Sequence, residues 1–143
     1  MSHETFDELL STLIPVGRER VEEDQNEFLP FAAALLPDHQ IKYVGPETEQ
    51  TFPSPPDALE FLHAGLRNLA EDGTIRASAV VSPVRVQLPD EPEESDAIRF
   101  HLEHGDGVAA NVYLPFAVDG MSGEVAWGDP FEVDGELNIF QPA

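Results

Sequence analysis

Five residues in the second half of the chain have types and spacing that could do chemistry: Arg99, His101, Glu103, Asn111 and Tyr113. Arg99, His101 and Glu103 alternate with Ile98, Phe100 and Leu102, so in an extended segment the three polar side chains share one face. A histidine beside a carboxylate can act as a general base or bind a metal. Arg99, Asn111 or Tyr113 would assist such a pair. The same alternation is also what the wet face of any one-sided antiparallel sheet shows. Cross-strand pairs such as His101–Asn111 and Arg99–Tyr113 account for it without a site. The expectation is therefore a solvated strand face. An enzyme built on His101 and Glu103 is the alternative, and it requires a concave pocket over that face.

Other constellations are weaker. His101-Leu-Glu-His104 is not the helical zincin motif, which sets two histidines four apart. Glu132, Asp134 and Glu136 lie near Asp129 but lack the aspartate spacing of a calcium loop. Asp106-Gly107 and Asp134-Gly135 are turn dipeptides, and no Gly-rich loop precedes the single lysine, Lys42. There is no cysteine, which removes thiolate nucleophiles, disulfides and cysteine metal sites. No cofactor and no metal are expected. His63, within a leucine-rich stripe, reads as a rim or core histidine, and Trp127 as core or an interface anchor.

The elements that must position these residues follow from periodicity. Phe6, Leu9, Leu10, Leu13 and Ile14 fall on one helical face, so helix is expected over about residues 5–24, interrupted near Pro15. Phe28–Leu36 and Ile41–Val44 read as a hairpin around Pro37-Asp-His-Gln40, and residues 45–53 as a loop. Ser54 is a good N-cap for an amphipathic helix over 55–71, with Leu59, Leu62, Leu66 and Leu69 on its stripe and Gly73 at its end. Ile75–Leu88 reads as a long strand whose apolar phase shifts across Ser82-Pro83. A bulge is expected there, and Pro83 should mark an edge. Residues 88–95 form an acidic loop.

Ile98–Phe116 is a second hairpin. A three-residue loop Gly105-Asp106-Gly107 pairs Leu102 with Ala110, Phe100 with Val112 and Ile98 with Leu114. A shift of one residue would put polar groups into the core, so the pattern selects this register. One or two short strands follow, around Val125–Trp127 and Phe131–Phe140.

The sum is one α+β domain over residues 1–143. It has a single antiparallel sheet with helices packed on one face, in the order α-(α)-β-β-α-β-β-β-β. This order is similar to that of roadblock- and profilin-type domains, a likeness of topology that implies no function.

Charge bounds the partners. The chain carries 28 acidic against 7 basic residues, a net charge of −21. From Asp90 onward thirteen acids face one basic residue, Arg99. Such a surface repels phosphate backbones and anionic membranes, so neither nucleic acid nor membrane is expected as a partner. No apolar stretch approaches the ~20 residues that span a bilayer, and the start of the chain lacks a secretory pattern, so a cytoplasmic setting is expected. A non-enzymatic interaction module, binding a basic protein and forming a homodimer, is the first expectation. Adaptation to a saline environment is the second and the His101/Glu103 enzyme the third.

Overall fold

A computed structural model of the chain describes residues 4–24, 30–44, 55–87, 93–137 and 139–140. Ser54, the loop 45–53 and most of the acidic loop (88–92) lie outside the described residues. Helix α1 spans Glu4–Asp24 and runs unbroken through Pro15, where an interruption was expected. Pro15 is exposed and so is Ser11, whose carbonyl loses its helical donor. The missing bond thus falls on the solvent side, where water can take its place.

Strand β1, Phe31–Leu35, and β2, Ile41–Val44, form the expected hairpin, with His39 in the left-handed region (φ 68°) at its turn. Helix α2, Pro55–Glu71, has the expected bounds. Gly73 (φ 71°) closes it: the Thr74 N–H donates to the Leu69 carbonyl and the Gly73 N–H to that of Ala70.

Strands β3, Ala77–Gln87, β4, Glu94–His104, and β5, Ala109–Val118, make the centre of the sheet. The short β6, Val125–Trp127, and β7, Phe131–Asp134, lie end to end along β5. The antiparallel sheet runs β2-β1-β3-β4-β5-β6, with β7 also on β5. The β4–β5 register is the one the apolar pattern selects, Leu102 opposite Ala110, Phe100 opposite Val112 and Ile98 opposite Leu114.

Two details of β3 and β4 differ from expectation. No bulge occurs at Ser82-Pro83, since pairing with β4 continues through Pro83 opposite Ile98. Among the described residues β1 pairs with β3 only as far as Val81, and beyond it β3 is paired with β4. β4 also begins earlier, at Glu94. Arg85 reaches Asp96 at 3.0 Å and Glu94 at 3.8 Å, and these cross-strand ion pairs extend the ladder into acidic sequence.

The arrangement is the α+β one, a single antiparallel sheet with two helices. Both faces of the sheet are covered, where the hairpin pattern alone suggests one. α1 lies over Ala33, Ala79, Ile98, Phe100, Val112 and their neighbours, burying Phe6, Leu9, Leu13 and Val21. Gly17 lets it sit close, since a Cβ there would stand 3.2 Å from Ile98 Cδ1 and 3.4 Å from Phe100 Cζ. α2 lies over the alternate residues Ala32, Ala34 and Val80 with Leu62 and Leu66. β1 can serve both faces because its three central residues are alanines.

The β5–β6 turn is built on Asp119, whose Oδ1 accepts the N–H groups of Met121 (2.7 Å) and Ser122 (3.0 Å). Those bonds favour the charged carboxylate, the Ser122 N–H most, and hold its pKa below the usual aspartate range. A depressed pKa contributes stability above the unfolded value of about 3.9 and loses it as pH falls through the folded value. Asp119→Ala is therefore expected to lower the urea midpoint at neutral pH, with the gap to wild type closing below about pH 4. A gap that persists unchanged in acid would show that the carboxylate charge is not what the turn uses.

Candidate functional site

The hairpin register sets Arg99, His101 and Glu103 of β4 beside Tyr113, Asn111 and Ala109 of β5. The structure brings His101, Glu103 and Asn111 into direct contact, but not on a solvated face. His101 is 2% exposed and Glu103 0%. His101 Nδ1 lies 2.7 Å from Asn111 Oδ1, and Nε2 lies 2.7 Å from Glu103 Oε2. The other carboxylate oxygen, Oε1, accepts the backbone N–H groups of Ile139 (2.9 Å) and Phe140 (3.1 Å).

The cover over this face is α2 together with the end of the chain. After β7 the chain crosses β5 at Gly135, where an added Cβ would stand 3.0 Å from the backbone nitrogen of Ala110. A larger residue there would push that backbone away by a few tenths of an ångström. Further on, Ile139 is buried with Leu62, Leu66, Ile75 and Val80. Phe140 lies against the hairpin tip, its ring 3.4 Å from where a Gly105 Cβ would be. Glu103 thus ties the C-terminal segment to the sheet through two charge-assisted hydrogen bonds.

Three more polar groups join this region. His63 of α2 is half-buried with its Nε2 enclosed and without a hydrogen-bond partner. Burial lowers its pKa, and the nearby His101 and Arg67 lower it further against an opposing pull from Glu103. Ser78 Oγ and Arg99 Nε are likewise enclosed without a partner. Ser78 stands opposite Glu103 in the β3–β4 register. Of these, His63 was legible as a member of the α2 stripe. Ser78 and the contribution of Ile139 and Phe140 were not, because nothing local ties them to Glu103.

Tyr113 is not part of the cluster; its ring stacks on Phe131 at 5.4 Å. Trp127 packs on Phe116 at 5.6 Å with Arg18 over it at 5.1 Å. His104 turns into its own hairpin loop, accepting the Asp106 N–H at Nδ1 (3.0 Å). A cavity of about 320 Å³ opens beside the cluster, lined by Arg99, His101, Asn111, Asp134, Gly135 and Glu136.

The chemistry of the cluster follows from its hydrogen bonds. A general base needs a free nitrogen within hydrogen-bond reach of the proton it removes. Both nitrogens of His101 are engaged, and both face acceptors as the Asn111 amide is oriented. An imidazolium ring satisfies both contacts beside an ionised Glu103; a neutral ring requires either the Asn111 amide turned to present its NH₂ or a proton on Glu103. In each case both ring nitrogens of His101 are taken by Asn111 and Glu103, so neither is free for a substrate. Among the described residues no three histidine, aspartate or glutamate side chains gather as metal ligands, and no described helix is long and apolar enough to cross a membrane. No protein-family model, curated protein or solved structure matches the chain.

Proposed function

We propose that this domain is a non-enzymatic interaction module that docks a basic protein segment along the outer edge of its sheet. One observation carries the reading. Beyond Arg99 the chain has no lysine or arginine, and Asp119, Glu124, Asp129, Glu132, Asp134 and Glu136 are all exposed on β6, β7 and their flanking turns. β6 and β7 pair on one side only among the described residues, so their outer backbone groups offer a template for an added strand. The acids would steer a basic segment to that edge and repel a second copy of the same edge. Self-association belongs instead to the opposite edge, β2, which carries Lys42 and the exposed Tyr43.

The test is a pull-down from the source cell at low and at molar salt, with two triple variants. A basic partner should be retained at low salt and released at high salt. Replacing Glu132, Asp134 and Glu136 by glutamine should abolish retention, while the same change at Glu19, Glu22 and Glu23 of α1 should not. Equal behaviour of the two variants, or no partner at low salt, rejects the edge as a docking surface.

A second reading has its own observation. The solvent faces of both helices are also acidic, with Asp7, Glu8, Glu19, Glu22 and Glu23 exposed on α1 and Asp57, Glu60 and Glu71 on α2. Acids spread over surfaces without an open edge are what adaptation to high salt would place there. Unfolding titrated with KCl separates the readings: strong stabilisation by molar salt favours adaptation, and its absence favours the docking edge.

A further inference from the structure

The polar cluster under α2 gathers more potential positive charge than negative. His63 and Arg67 stand four apart on α2, so both lie on one side of that helix. Arg99, His101 and Glu103 of β4 lie close enough for their charges to act on the His63 ring. β1 and β3 present Ala32, Ala34, Ser78 and Val80 on this face, and the C-terminal segment presents Ile139 and Phe140, none of which titrates. Among the described residues Glu103 is the carboxylate that acts on the ring. It is already engaged, Oε2 by His101 and Oε1 by two backbone N–H groups.

The His63 ring suits this setting only while neutral. Its Nε2 is enclosed and has no hydrogen-bond partner. A neutral ring can carry its hydrogen on Nδ1 and leave Nε2 as a bare lone pair, whereas an imidazolium carries N–H on both nitrogens. Protonation would bury a charged donor without an acceptor, which costs more than an unmet lone pair. Burial, His101 and Arg67 all hold the His63 pKa below its ordinary value.

We propose that His63 makes the docking of α2 pH-sensitive: protonating its ring raises the fraction of molecules in which the helix has left the sheet and the cluster of Leu62, Leu66, Ile75, Val80 and Ile139 is open. A released His63 titrates near the ordinary value of about 6.5 and a docked one below it, so the released state binds more protons. Docking is therefore at full strength above about pH 6.5 and weakens as pH falls from there toward the docked value. This device does not rest on the basic-segment edge, and either can fail without the other.

Hydrogen exchange of the full chain tests it, with each amide's rate divided by its intrinsic rate to give an opening population. Measurements at about pH 7.5 and about pH 5.5 bracket histidine titration and stay above the ordinary carboxylate range. The opening of Leu62 and Leu66 should rise several-fold at the lower pH, while the amides of β4 and β5 keep their protection. In His63→Gln and in His63→Leu, neither of which titrates, α2 should open equally at both pH values. Opening of α2 that does not depend on pH in the wild type overturns the proposal. So does an equal rise in both variants, which would assign the effect to His101, or a rise shared by β4 and β5, which would make it a loss of the whole fold.

Discussion

Replacing Glu103 by alanine is expected to cost the domain about 3–5 kcal/mol, the penalty for leaving one partner of a buried pair uncompensated. Three groups lose their acceptor at once: His101 Nε2, at 2.7 Å, and the N–H groups of Ile139 and Phe140. Against a total stability of about 5–15 kcal/mol for an ordinary domain, that is a large fraction. The loss has a location. The amides of Ile139 and Phe140 should exchange with solvent far faster in the variant while those of β3 and β4 stay protected.

Glu103→Gln should cost much less. Its carbonyl oxygen can still accept the two backbone N–H groups, and its NH₂ can donate to a neutral His101 whose Nδ1–H bonds Asn111. Urea unfolding of the two variants checks both statements. A Glu103→Ala loss below about 1 kcal/mol, the level of an exposed ion pair, would mean that the C-terminal segment is held by Ile139 packing alone.

The second large effect is expected at Phe100. It is fully buried between α1 and the sheet, with Val81 and Val112 as its strand partners. Phe100→Ala should destabilise by about 3–5 kcal/mol through lost burial and the cavity left behind. The same position explains Gly17, which keeps α1 low enough to touch the Phe100 ring. In the wild type an alanine at 17 would crowd that ring and Ile98. In the Phe100→Ala background the ring contact is gone and Ile98 Cδ1, at 3.2 Å, is the contact left to shift, so part of the better helix propensity of alanine, about 1 kcal/mol in full, should be recovered. A Gly17→Ala substitution that destabilises both backgrounds equally would show that Ile98, and not Phe100, sets the helix height.

The sequence by itself determined the elements and much of their pairing. α2 ends at Gly73 because a left-handed residue must close the helix there. The β4–β5 register is fixed because a slip of one residue would exchange Phe100 for His101 in the α1-facing core. The net charge of −21 is likewise legible without the structure.

What only the tertiary structure decided is the fate of the polar hairpin face. Local alternation gives a polar residue the same pattern whether its face meets water or another segment. The groups that cover Glu103 are backbone N–H donors thirty-six and thirty-seven residues away, and a backbone donor carries no residue-type signature. Their arrival converts a strand face expected to be solvated into a buried polar cluster that pins the end of the chain. Contacts that distant depend on how the chain returns across the sheet through Gly135, a long-range choice that local spacing does not encode.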